Sequence, residues 1–446
     1  MMKNHAEDST GQEPAFGHPR LLNRIRLAAE IWEEISRSPH PADRWLGGYF
    51  FRNRKKLGSH DRRFLSETIY GAFRHKLFLE AWVLFFGEAG NSTWIVLLSA
   101  LIAGMLSSEE TLAVARMEEK PSGKLLTGGM IRRLLAFDLP PGLEPQNNTA
   151  NLSLRYSFPE WLLEKWMQAW GESKTKQTLE VFHKRSLLSV RNNPLKIKRD
   201  ALLERWKGSG QKVFPARASP LGILFAARIP VFDLQEFKEG LFEVQDTGSQ
   251  LVCLAIDVHS GESVWDVCAG GGGKSLLLAA LMENKGRVVA TDIREKKLEE
   301  LKKRARRGGV FNIFPADLKR MDSMALARKG FDRILVDAPC SGTGTLRRNP
   351  DAKWKMTPER FEEHRHDQLA ILKAALPYLK KGGKLYYVTC SLEKEENEQV
   401  LDLFLAEHPQ LRPVSVPSFG EPAGMGQRLW PGEENDGFFL GVVEKI

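Results

Sequence analysis

A chain of 446 residues is too long for one ordinary domain, and two or three are expected. Hydrophobic residues make up 42% of it, enough for real cores, which excludes a disordered or fibrous class; a formal charge of +9 points to a polyanionic partner, RNA or DNA ahead of a membrane surface. The four cysteines, Cys253, Cys268, Cys340 and Cys390, are widely spaced without a CxxC pair, so neither a zinc cluster, any other metal site nor a disulfide frame is expected. The polar start and the absence of any apolar run of transmembrane length predict a cytoplasmic protein with reduced thiols and no membrane partner.

In chain order, residues 1–20 read as a disordered tail. From Leu21 the apolar spacing is helical, through LLNRIRLAAEIWEEI, RWLGGYFFRNRKK, DRRFLSETIYGAFRHKLFLEAWVLFF and TWIVLLSALIAGML, with Ser59 and Asp61 as plausible caps. This predicts an all-helical domain over 21–140. It carries a basic strip of Arg52, Arg54, Lys55, Lys56, Arg62, Arg63, Arg74, His75 and Lys76. Cations interleaved with Phe and Tyr suit an RNA-facing surface; a solvated helix face is the competing reading.

The Pro-, Asn- and Ser-containing stretch from Pro140, PPGLEPQNNTANLSLRYSFPE, reads as a linker. The helices WLLEKWMQAWG and RDALLERWKGSG, with strands in LLSVRNNPLKI, KVFPA, GILFAA and LFEVQDTGSQ, predict a small α+β extension over 151–240. From 241 to 446 strands and helices alternate, the pattern of a doubly wound, mostly parallel sheet. Strands are expected at 263–267, 288–291, 312–316, 333–336, 384–389 and in the final FFLGVVEKI, with helices including KKLEELKKRARR and FEEHRHDQLAILKAALPYL.

The chemistry gathers at strand ends, where open α/β sheets bind ligands. VWDVCAGGGGKS, residues 264–275, reads as strand, tight turn and helix. Its four glycines leave backbone bare for a ligand, and the next helix aims its free N–H groups there. Asp292 ends RVVATD about 20 residues on, where a carboxylate takes ribose hydroxyls. A phosphate-binding Walker loop is disfavoured, because Cys268 stands where its first glycine belongs. Asp317 ends a third strand, Asp337 and Cys340 follow a fourth in DAPCSGTGTLRRNPD, and Cys390 ends a fifth in TCS. Two strand-end cysteines beside an acid suggest covalent thiol chemistry, with Lys274, Arg347 and Arg348 as cations to lower a thiol pKa. A thiolate adding to carbon 6 of a pyrimidine makes carbon 5 nucleophilic toward a sulfonium methyl donor, while a base removes the carbon 5 proton. For Cys268, packing is the favoured reading, and the residues alone leave open which of Cys340 and Cys390 attacks.

These motifs resemble the RsmB/NSUN family of S-adenosylmethionine-dependent RNA cytosine-5 methyltransferases. The likeness runs through FEVQDTGSQ, VWDVCAGGGGKS, ATDI, ADLKRM, DAPCSGTG, RRNPDAKW, YVTCSLEKEENE and LWPGEENDGFF, nearly all of 240–446. The resemblance implies a Rossmann-like methyltransferase core and S-adenosylmethionine as cofactor. The cofactor loop would be Cys268, Ala269, Gly270, Gly271, Gly272, Gly273 and Lys274, with Asp292 on the ribose and Asp317 near the adenine. Asp337 would touch both cofactor and base, Cys390 would be the nucleophile, and Cys340 would assist product release. The family often has Ala-Pro where this chain has Gly270-Gly271, which bears on affinity more than on activity. LGSHDRRFLSETIYGAFRHK resembles the NusB-like RNA-binding domain of the bacterial 16S rRNA enzymes. Ribosomal RNA, free or within a small-subunit precursor, is thus the expected partner of a monomeric enzyme, with tRNA methylation and a non-catalytic assembly factor as alternatives. Methylation of an adenine amino group would need an NPPY-like loop at 337–340, where DAPC stands.

Overall fold

The computed structural model describes residues 18–118, 124–318, 321 and 329–446. Contacts divide the chain into two compact units, Met1–Lys176 with Asn349–Asp351, and Gln177–Arg348 with Ala352–Ile446. Residues 1–17 of the expected tail, and Lys319 and Arg320 of ADLKRM, lie outside the described residues. Among the described residues no helix is long and apolar enough to cross a membrane.

The first unit is helical: His18–Arg37, Ala42–Arg52, Ser59–Arg74, Lys76–Phe85, Ser92–Ile102, Ser108–Glu118, Gly128–Leu135, Asn148–Tyr156 and the start of Glu160–His183. The helix Ser92–Ile102 is apolar on nearly every side, and it is buried from Trp94 to Leu101 at the centre of the others. Its start is held by the Asn91 side chain, which accepts from the N–H groups of Thr93 and Trp94. Helix Ser59–Arg74 lies close against it at Gly71, where a β-carbon would come within 2.6 Å of Ser99 Oγ.

Four expectations are corrected here. Residues 18–20, given to the tail, begin the first helix. Ser59 is not a cap: Gly58 precedes the helix, and Asp61 accepts from its N–H at 3.2 Å. The basic strip is divided: Arg52, Arg54, Lys55, Lys56, Arg62 and Arg63 are exposed, whereas Arg74 and His75 point inward and are buried. The stretch read as a linker contains the helix Asn148–Tyr156, started by Asn147 accepting from Ala150 N–H at 2.8 Å and ended by Ser157 in the left-handed region at φ 55°. Leu152 buries that helix, which packs on Lys76–Phe85.

In the second unit a small antiparallel sheet runs β2-β3-β1-β4, made of β1 (Leu188–Asn192), β2 (Val213–Pro215), β3 (Gly222–Phe225) and β4 (Phe242–Val244). Helix Arg199–Gly208 presses Leu202, Leu203 and Trp206 into a core with Val190, Ile223, Phe225 and Phe242.

The large sheet has nine strands: β5 (Ser263–Asp266), β6 (Arg287–Thr291), β7 (Ile313–Ala316), β8 (Phe331–Asp337), β9 (Leu379–Thr389), β10 (Leu411–Pro413), β11 (Glu421–Ala423), β12 (Gly426–Leu429) and β13 (Phe438–Lys445). Their order is β11-β12-β13-β9-β8-β5-β6-β7, with β10 paired to β13. The pairs β5–β6, β5–β8, β6–β7 and β8–β9 are parallel, so four crossovers deliver their carboxyl ends to one edge. Strand β13 enters antiparallel to β9. All six strands expected in this region are present, and the fold is the Rossmann-like, mixed and mostly parallel sheet that was expected; β10, β11 and β12 were not foreseen.

Candidate active site

The turn after β5 is built as its glycines require. Gly270 and Gly272 take φ of 54° and 79°, values that cost other residues strain, and Gly273 opens the helix Gly273–Leu281. Asp292, just past β6, accepts from Gly270 N–H and Arg294 N–H, each at 2.8 Å, and from Arg294 Nε at 3.0 Å. Burial alone would raise its pKa, but the Arg294 side chain and the two N–H groups outweigh it and hold the carboxyl below its ordinary range. Arg304 Nη1 grips the Gly271 carbonyl at 2.6 Å, and Glu243 of β4 accepts from the same guanidinium at 3.0 and 3.2 Å.

Beneath the turn, Lys274 Nζ donates to Asp337 Oδ2 at 2.6 Å, joining the first turn of the helix to the end of β8. Burial works to lower the Lys274 pKa; Asp337 overcomes it and the ammonium is raised above its ordinary value. Burial pushes Asp266 up to about 7, against a hydroxyl bond from Ser275 at 2.5 Å.

A cavity of about 710 Å³ opens against this edge, lined by Cys268, Ala269, Gly270, Asp292, Asp337 and Cys340 together with the apolar Trp265, Ile293, Leu318 and Tyr378. Ile293 is 84% exposed, a large apolar side chain left bare directly after the acid. A carboxylate kept ionised, a backbone turn without β-carbons and apolar walls suit a nucleoside carrying a charged tail. The remaining loop residues do other work: Gly272 packs on Leu301, Gly271 is held by Arg304, and Lys274 reaches Asp337. Asp317 is exposed one residue past β7, and its neighbour Leu318 lines the cavity. Cys268 lines the cavity while packing on the core, and burial pushes its thiol up to about 12, so it stays protonated near neutral pH.

The two remaining strand-end cysteines meet. Cys340 Sγ lies 3.4 Å from Cys390 Sγ, although 50 residues separate them in sequence. Two expected cations do not serve them. Arg347 and Arg348 pair with Asp436, and Arg348 also with Asp246 at 2.6 Å. The Cys340 pKa is raised, not lowered, first by its hydrogen bond to Cys390, then by burial, then by the charges of Cys390 and Glu396.

Sequence reasoning also passed over Glu396, Gln368 and Arg304. Glu396 stands in the quoted YVTCSLEKEENE, but nothing distinguishes it there from the other acids; in the structure it is buried, as Glu393 is, and its carboxylate accepts from the hydroxyls of both Ser341 and Ser391.

The family model described as 16S rRNA methyltransferase RsmB/F matches residues 253–444, and one described as an RsmF/B-like ferredoxin-like domain matches 158–232. The chain is 31% identical to a ribosomal RNA small subunit methyltransferase B of Klebsiella pneumoniae subsp. pneumoniae, over 95% of this chain and 98% of that one. It is 30% identical to a probable ribosomal RNA small subunit methyltransferase B of Synechocystis sp., over 95% of this chain and 100% of the relative. The crystal structure of a methyltransferase homologue protein from Pyrococcus horikoshii matches with a TM-score of 0.59 and 29% identity, covering 68% of this chain and 100% of that one. With likeness running the length of such relatives and a donor-sized cavity at the expected sheet edge, the chain belongs to the RsmB/F family of S-adenosylmethionine-dependent RNA methyltransferases.

Proposed function

We propose that this protein methylates carbon 5 of a cytosine in 16S ribosomal RNA, in the cytoplasm, through a covalent bond between Cys390 and carbon 6 of the base. The observation that carries the reading is the 3.4 Å approach of Cys340 and Cys390 beside the cavity. A binding protein needs no such pair.

S-adenosylmethionine, when bound along Cys268–Gly270 and Asp292, supplies the methyl group as a sulfonium. The Cys390 thiolate adds its electron pair to carbon 6, and the carbon 5–carbon 6 π pair becomes available at carbon 5. As the methyl–sulfur bond breaks, leaving its electron pair on what becomes a neutral thioether, that carbon takes the methyl group. Its proton must then leave to a base, and the electrons of the broken C–H bond rebuild the double bond as the Cys390–carbon 6 bond breaks, returning the thiolate. Asp337, which accepts from Lys274 at the end of β8, would hydrogen-bond the base during the addition. Cys340, in contact with the departing sulfur, assists this release. The target cytosine must be out of its stack, flipped or in a loop.

The helical unit is the proposed grip on RNA phosphates. Arg52, Arg54, Lys55, Lys56, Arg62 and Arg63 are exposed there, beside Phe51, which is 69% exposed with the Arg54 guanidinium 4.8 Å from its ring centre.

The test is transfer of labelled methyl groups to 16S RNA, naked or in small-subunit precursors. Cys390→Ala is expected to abolish transfer, and Cys340→Ala to accumulate a protein–RNA adduct on a denaturing gel. Wild-type transfer by Cys390→Ala refutes the nucleophile. Bisulfite mapping with unmodified cytosines throughout, from an enzyme that does label RNA, refutes the carbon 5 reading.

A further inference from the structure

The reaction described above makes no use of Glu396, yet this side chain is fully buried between the two cysteine loops. Its carboxylate accepts from Ser341 N–H at 2.7 Å, from the hydroxyls of both Ser341 and Ser391, and from Gln368 Nε2 at 3.4 Å. All of these donors are neutral. Burying a carboxylate this way is costly unless its oxygens are well satisfied, so the arrangement asks for a purpose.

The donors stand at particular places. Ser341 directly follows Cys340, and Ser391 directly follows Cys390. Gln368, which touches the same carboxylate, also donates to the Pro339 carbonyl just before Cys340 at 2.9 Å. On the other loop Asn397, next to Glu396, accepts from the Thr389 hydroxyl at 2.5 Å and donates to the Ser391 carbonyl at 2.9 Å, bracketing Cys390. Tyr387 of β9 donates its buried hydroxyl to the Glu396 carbonyl, which fixes the acid to the sheet. Both sulfur-bearing turns are therefore referred to one side chain.

We propose that Glu396 is the positioning residue of the two-sulfur site, setting the separation of Cys340 and Cys390 by holding the residue that follows each of them. The inference rests on the covalent two-cysteine reading above. A carboxylate suits this task because each oxygen accepts more than one hydrogen bond at short range, which pins the donors' backbone. An amide of the same shape presents an N–H group where one of those acceptors stood. Its oxygen stays toward the Ser341 N–H, and the two serine hydroxyls, which would then accept from its N–H groups, no longer pin their turns as donors to a carboxylate.

The experiment compares wild type with Glu396→Gln in the full chain, by two readouts: methyl transfer to 16S RNA, and the rate at which diamide forms the Cys340–Cys390 disulfide. Misplacing reacting groups by about 1 Å costs on the order of 100-fold, so kcat is expected to fall about 10- to 100-fold while KM for S-adenosylmethionine stays within about twofold. Disulfide formation is expected to slow as well. A wild-type kcat overturns the proposal, and so does a lowered kcat with a wild-type disulfide rate. If the variant loses S-adenosylmethionine binding, Ser341→Ala decides, since it keeps the backbone bond. A smaller loss of kcat with slower disulfide formation is then expected, and no change in either overturns the proposal. If wild type itself places no methyl group on cytosine, the covalent reading falls, and the disulfide rates alone judge Glu396.

Discussion

Replacing Gly272 by alanine probes the turn on which the cavity depends. Gly272 sits at φ 79°, a left-handed conformation that costs an L-residue about 1–2 kcal/mol. A β-carbon there would lie 2.5 Å from Cγ and 2.6 Å from Cδ1 of Leu301, which is itself fully buried on the helix Glu295–Gly308. The leucine has no empty space to turn into, so the helix must give way, and overpacking of this kind costs about 1–3 kcal/mol more. The expected total is a loss of about 2–5 kcal/mol in urea unfolding, read as a shifted midpoint at constant slope. Gly273→Ala is the control: the position opens a helix and a β-carbon there meets nothing within 4 Å. That change is expected to be neutral or to stabilise by about 0.5–1 kcal/mol through the unfolded chain. A Gly272→Ala loss below about 0.5 kcal/mol, or an equal loss at Gly273, refutes the argument from close approach.

Two further outcomes follow from buried charges. Burial raises the Asp266 carboxyl from 3.8 to about 7, so the folded protein holds this proton after the unfolded chain has released it. The contribution is therefore unfavourable as pH rises: stability is lost between about pH 4 and pH 7 and the loss is complete above, up to about 4 kcal/mol. Asp266→Asn removes that titration, so its stability relative to wild type is expected to improve from pH 4 to pH 8; a constant difference across that range speaks against it. Glu243→Gln is expected to loosen Arg304 and, through it, the Gly271 carbonyl, weakening S-adenosylmethionine about three- to tenfold in titration calorimetry, the order of one hydrogen bond. Unchanged affinity means the turn does not rely on that clamp.

The readable part of the sequence was the part governed by short-range rules. Apolar runs ending in Asp292, Asp337 or Cys390 announce buried parallel strands, and consecutive glycines announce a turn, so the meeting of these residues at one edge is legible in the sequence. Strands β10, β11 and β12 were not, because three or four residues containing Pro413, Pro422 or Gly426 carry no alternation to detect. The helix Asn148–Tyr156 is hidden in the sequence because asparagine commonly favours loops, while here Asn147 works as a cap and Leu152 as an anchor. Charge sites failed for another reason. Whether Arg74 faces water, or Arg347 and Arg348 face a thiol, depends on partners distant in the chain, here Asp436 and Asp246 for the latter two. Glu396 is the same kind of case: its neighbours in YVTCSLEKEENE are also acids, and only the fold singles it out.

Strand β13 runs against its neighbours, so it presents its beginning where the parallel strands present their ends. The segment just before it, anchored by Asp436 on Arg347 and by Gly437 N–H on the Gly344 carbonyl at 2.9 Å, is thereby delivered beside the sulfur loops from the side of the sheet away from β5, β6 and β7. Nothing in that segment lines the cavity against Cys268, Gly270 and Asp292. Substitutions there can act on the loop that carries Cys340 while the lining of the cavity stays as it is, a separation that follows from the direction of one strand.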